Sequence, residues 1–122
     1  MRVMFWWALC VSVTVFQIWG MASGAAGDAA KGKVKYQELC AACHGASGKG
    51  DGPAAAGLPT KPRNHTDAAY MNKLKDQQVF DFIKKGGQAM GKSPLMPAWG
   101  GQLSDKEIQD LVVFIRTLAR KP

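Results

Sequence analysis

Residues 40–44 read Cys40-Ala41-Ala42-Cys43-His44: two cysteines separated by two small residues, with a histidine directly after the second. A thiol pair at this spacing can form a disulfide, exchange disulfides or share a metal ion, and its surroundings decide among these. Exchange sites of this form belong to a βαβ setting, and the stretches on either side carry no alternating strand pattern. A zinc site needs a second CxxC or an HxxxH pair, and the sequence has neither.

The pattern is that of covalent haem attachment. Two intervening residues let both thiols reach the two vinyl groups of one porphyrin, and the same turn brings the next side chain beneath the iron. The expected cofactor is therefore one haem c with its iron, held by Cys40 and Cys43, with His44 as an axial ligand. The candidates for the other axial position are Met71, Met90, Met96 and His65. Met96 is the choice, because it stands in SPLMPAWGG between Pro94 and Pro97, where restricted backbone can hold a thioether at a fixed distance. Met90, in the glycine-flanked QAMGKS, is the reserve. Met71 in AAYMN reads as a core contact, and His65 in RNHTD as a hydrogen-bonding loop residue. A thioether favours ferrous iron and raises the reduction potential relative to a second imidazole, whereas an open position would invite small ligands or peroxide chemistry.

Outward from this motif the apolar residues fall at helical spacings in three places, which predicts an all-α domain. The first segment, 28–44, has Asp28 as N-cap and carries Val34, Tyr36 and Leu39 toward the cysteines before glycine-rich sequence ends it. The second, 76–87, places Val79, Phe82 and Ile83 on one face, with Lys84 and Lys85 near its end and a stop at Gly86 and Gly87. The third opens with a Ser104/Glu107 capping box and repeats Ile108, Leu111, Val112, Ile115 and Leu118 at three and four. Proline-marked loops join them. Loops this long in so small a domain need something to pack against, and a large apolar cofactor meets that need.

The first 26 residues contain one charge, Arg2, then an apolar run and a small-residue tail, the organisation of a secretory leader. Cleavage is expected after Ala26, or else after Gly24. The alternative is an uncleaved anchor over residues 3–22, since about 18 apolar residues can span a bilayer. Cys10 lies within the apolar run without the small-residue context of a lipoprotein site, and reads as part of the leader. A periplasmic location is expected.

The 122 residues carry a formal charge of +7, with 47% hydrophobic and 20% charged residues, a globular composition. The lysines are spread from Lys31 to Lys121 among acids and form no basic-and-aromatic cluster, which argues against nucleic acid. The balance suits redox partners with acidic docking surfaces.

With CAACHG early, LMPAWG late and a closing helix that begins LSDKEI, residues 27–122 resemble a class I c-type cytochrome. The resemblance implies a monohaem cytochrome c fold, with the N- and C-terminal helices crossing over one covalently bound haem. Gly32, Tyr36, Leu111 and Phe114 match the residues of that crossing, and a glycine inside a helix, at a cost of about 1 kcal/mol, fits a close approach. It further implies that a proline carbonyl, that of Pro59 or Pro62, accepts a hydrogen bond from His44. Trp99 is placed near the haem or its loop. The implied function is one-electron carriage without a catalytic acid, base or nucleophile. The alternatives are a haem subunit of a membrane oxidase or dehydrogenase, and an open-iron peroxidase or gas sensor.

Overall fold

The computed structural model describes residues 27–120. The expected leader, with Cys10, lies outside the described residues. Helices α1 (Ala29–Leu39), α2 (Ala41–His44), α3 (Ala68–Met71), α4 (Asp76–Ala89) and α5 (Asp105–Leu118) are joined by loops, with a 3-10 turn at Ala55–Gly57, and no strand occurs among the described residues. The fold is all-α, as the periodicity predicts. None of these helices is long and apolar enough to cross a membrane.

Asp28 caps α1 as expected, its Oδ1 accepting from the N–H groups of Ala30 at 2.9 Å and Lys31 at 3.2 Å. The predicted segment 28–44 is not one helix: it breaks at Cys40 and resumes as the single turn α2, which carries the second cysteine and the histidine.

The most extensive helix–helix contact is between α1 and α5. Gly32 is buried there, and a Cβ on it would overlap the Asp110 carbonyl oxygen, so only glycine lets the two backbones meet this closely. One turn later Tyr36, fully buried, sets its ring edge-on to Phe114 with centroids 5.1 Å apart. Leu111 is fully buried in the same core. Val34 departs from its predicted place and is 58% exposed. It lies two residues from both Gly32 and Tyr36, about 200° round the helix, and so points away from the face they share.

In α4, Val79 and Ile83 are buried and Phe82 half-buried. The predicted stop at Gly86 is physical, although helical turns continue to Ala89: Gly86 has φ 78° and ψ 170°, which ends the regular helix. In α5 the capping box forms, with Ser104 Oγ accepting from the Glu107 N–H at 3.3 Å and Glu107 Oε2 accepting from the Ser104 N–H at 2.9 Å. The short α3, not foreseen, is capped by Asp67, whose carboxylate accepts from the Tyr70 N–H at 3.1 Å.

Asp110 is a charged residue in the core, 3% exposed. Its Oδ1 accepts from the Asp28 N–H at 2.7 Å and pairs with the Lys106 ammonium. Burial alone would raise this carboxyl, but the hydrogen bond from Asp28 and the Lys106 charge outweigh it and hold the group below the usual carboxylate range. A depressed folded-state pKa contributes stability that is complete above the unfolded value and lost as pH falls through the folded one. Asp110→Asn is therefore expected to cost about 1 kcal/mol or more at neutral pH, with the difference from the parent shrinking below about pH 4. Melting temperatures of both proteins across that range check this, and a constant difference would remove the charge from the explanation.

Candidate haem-binding site

A mostly apolar cavity of about 300 Å³ opens beside α2. Cys40, Cys43 and His44 line it, and so does Met96. Both cysteines are half-buried, and they do not form a disulfide with each other. Burial pushes the Cys40 thiol up to about 12, with Cys43 adding to the effect. Disulfide-exchange sites depress this value, so the setting is the reverse of a reactive thiolate.

His44 Nδ1 lies 3.0 Å from the Arg63 carbonyl oxygen. A carbonyl can only accept, so Nδ1 bears the proton and Nε2 keeps a free lone pair. Burial lowers the His44 pKa, opposed in part by that hydrogen bond, and the neutral imidazole is the form that binds a metal. The acceptor is thus Arg63, and neither Pro59 nor Pro62 as the resemblance implied. The Pro62 carbonyl oxygen instead packs against Gly50, where a Cβ would overlap it, and the next peptide reaches the ring. The Arg63 guanidinium lies over the Tyr70 ring, 3.7 Å from its centroid, which braces this segment against α3.

His65 is the hydrogen-bonding loop residue expected: its Nδ1 shares a 3.0 Å hydrogen bond with the Tyr36 hydroxyl. Its ring stacks on His44, with centroids 4.3 Å apart and planes 17° from parallel. A ring lying against His44 cannot stand on the far side of an iron that His44 holds. Burial, with His44 and Arg63 nearby, lowers its pKa to about 3, so it is neutral at physiological pH.

Met96 is half-buried on a loop docked against the end of α4. Gly87 N–H donates to the Met96 carbonyl at 2.9 Å, Lys92 N–H to the Gly87 carbonyl at 2.8 Å, and Trp99 N–H to the Ile83 carbonyl at 2.9 Å. A Cβ on Gly87 would overlap the Ser93 carbonyl oxygen, so the glycine pair ends the helix and also receives this loop. Trp99 lines the cavity, as expected near the haem or its loop, and Met71 lines it while 2% exposed, consistent with a core contact. Met90 is half-buried and not among the lining residues.

Sequence reasoning missed Arg63 and Arg116. From α5, Arg116 donates to the Met71 carbonyl at 2.6 Å, the Leu74 carbonyl at 2.5 Å and Asp76 Oδ1 at 2.7 Å, fixing the α3–α4 wall of the cavity. An arginine beside an apolar helical stripe does not reveal carbonyl partners more than forty positions away.

Two thiols, a neutral imidazole and a thioether on one apolar cavity are the donor set for a covalently attached haem, and the residues present fit that group. Among the described residues no cluster of three or more histidine, cysteine or acidic side chains offers a separate metal site. The Cytochrome c family model matches residues 29–119, and the chain belongs to that family. It is a class I c-type cytochrome, with covalently bound haem c and its iron. It is 36% identical to cytochrome c-554(547) of Halothiobacillus neapolitanus over 76% of this chain and 99% of that protein. It is 33% identical to the cbb3-type cytochrome c oxidase subunit FixP of Bradyrhizobium diazoefficiens over 75% of this chain, but spans only 28% of that subunit. The solved structure of the KustC0563 c-type cytochrome superposes with a TM-score of 0.60 at 25% identity, covering 73% of this chain and 98% of that one.

The docking of the Met96 loop makes Gly87→Ala informative. The added methyl is expected to displace the Ser93 carbonyl, destabilise the protein by about 1–3 kcal/mol and weaken the far-red absorption of a thioether on ferric iron. Unchanged absorption would show that Met96 is placed independently of this contact.

Proposed function

We propose that this chain is a one-electron carrier whose haem is fastened through Cys40 and Cys43 and ligated by His44 and Met96. The observation that carries the proposal is the presence of all four groups on one apolar cavity. When bound, haem supplies one-electron cycling between ferric and ferrous iron. The two thiols fasten the group by thioether bonds, and His44 presents Nε2 with its ring held through Nδ1. Met96 supplies a soft sulfur from a loop pinned to α4, which favours the reduced state. Apolar side chains such as Ile83, Val79 and Leu74 line the cavity and would keep water from a haem held there. Lys61 and Lys92, exposed where they line the cavity, are suited to meet an acidic partner surface in a salt-dependent encounter.

We place the carrier in an exported, periplasmic electron-transfer chain, with the leader removed after Ala26. The names of the oxidase-subunit relatives favour a second reading, a haem subunit of a membrane complex. N-terminal sequencing of the exported protein separates the two, because the subunit reading goes with a retained anchor.

The first test is the absorption spectrum of the oxidised and reduced protein. Covalent c-type haem bands with the far-red thioether band are expected, and rapid carbon monoxide or cyanide binding at neutral pH would point to an open-iron protein instead. Met96→Ala is expected to retain haem and lose the high reduction potential. An unchanged potential would transfer the role to Met90. Cys40→Ser and Cys43→Ser are each expected to lower the yield of haem-loaded protein well below that of His65→Ala, and equal yields would undo the attachment assignment.

A further inference from the structure

One hydrogen bond fixes a point on an imidazole ring, not its plane. The torsion that turns a histidine ring about its Cβ–Cγ bond is broad and roughly two-fold, so the Arg63 carbonyl alone leaves His44 free to rock about its contact at Nδ1. The remaining freedom meets His65, whose ring covers one face of His44 at 4.3 Å and 17°. His65 is itself held at two points. Its backbone N–H donates to the Gly48 carbonyl at 2.7 Å, and its Nδ1 is tied to the Tyr36 hydroxyl at 3.0 Å. Tyr36 is fully buried at the α1–α5 crossing and braced edge-on by Phe114. A continuous series of contacts thus runs from the helix crossing to the proximal imidazole.

We propose that His65 is a positioning residue for His44, its Tyr36-tethered ring fixing the plane in which the proximal imidazole stands. The proposal rests on the reading of His44 as an iron ligand. The plane of an axial imidazole sets the direction of the half-filled iron orbital in low-spin ferric haem. His65 therefore governs the uniformity of that orientation without touching the iron. The contact is face to face, so a flat ring of similar size can replace it, whereas a small side chain cannot.

The test is electron paramagnetic resonance of the ferric haem protein, with proton resonance of the hyperfine-shifted His44 ring. The parent, His65→Ala, His65→Phe and Tyr36→Phe are compared. His65→Ala is expected to move the largest g value beyond the parent linewidth, broaden it and shift the His44 resonances. His65→Phe keeps the stack but loses the Tyr36 hydrogen bond, so it is expected to return the g value and the His44 shifts to parental positions with a broadened signal, and Tyr36→Phe to show the same broadening while the stack persists. A haem-loaded His65→Ala protein with parental g values and His44 shifts would overturn the proposal, as would His65→Phe matching the displacement of His65→Ala. Should His65→Ala fail to accumulate, Tyr36→Phe decides: broadening supports the tether, and a parental spectrum removes it. A parent without low-spin haem defeats the ligand assignment itself, and its spectrum reveals this before any variant is compared.

Discussion

The close passage of α1 over α5 at Gly32 is the contact on which the remaining structure depends. It brings Tyr36 against Phe114 and lets the Asp28 N–H reach the Asp110 carboxylate. The aromatic contact fills the core, and the hydrogen bond fixes the register of the two helices. The break at Cys40 follows one turn after Tyr36, so α2, with its cysteine and histidine, begins directly beyond the crossing. A buried carboxylate is costly unless compensated. Here a backbone donor and an ammonium compensate it; a longitudinal slip of α5 would carry Lys106 along with the acid but separate the acid from the Asp28 N–H.

The two sides of the cavity are held by different means. The His44 side is local in sequence and built on hydrogen bonds from loops to a short helix. The Met96 loop is docked by backbone hydrogen bonds onto the end of α4, where Gly86 turns the chain and Gly87 leaves room. Arg116 reaches from α5 to two carbonyls of the α3–α4 connection and ties that wall to the crossing. Each wall is thus referred to the same helix pair, which allows a domain with long loops to keep a defined cavity.

Much of this was legible in the sequence, because the signals were local. Spacing alone marks CAACH, the Ser104/Glu107 box and the stripe from Ile108 to Leu118, and Pro94 and Pro97 single out Met96. What stayed hidden depends on distant partners. The Asp110 side chain looks like an ordinary helical acid until Asp28 is beside it, and the Arg116 guanidinium finds its carbonyl acceptors at Met71, which ends α3, and at Leu74 beyond it. The His44 acceptor, expected at Pro59 or Pro62, is Arg63, because backbone carbonyl direction leaves no trace in residue identity: the Pro62 carbonyl packs against Gly50 and that of Arg63 faces the ring. Val34 was placed by its apolar character, against its own angular position on α1.

The tie between Asp28 and Asp110 joins positions 82 apart in a chain whose attachment motif occupies five consecutive residues. Closing so long a loop carries an entropic penalty that contacts within a single turn avoid. The two halves of the architecture therefore make different demands on biogenesis. The thiol pair and its histidine are adjacent as soon as that turn forms, while the core can close only after the last helix has been made. Loss of the final helix would leave a chain with its attachment motif intact and no interior to enclose what that motif holds.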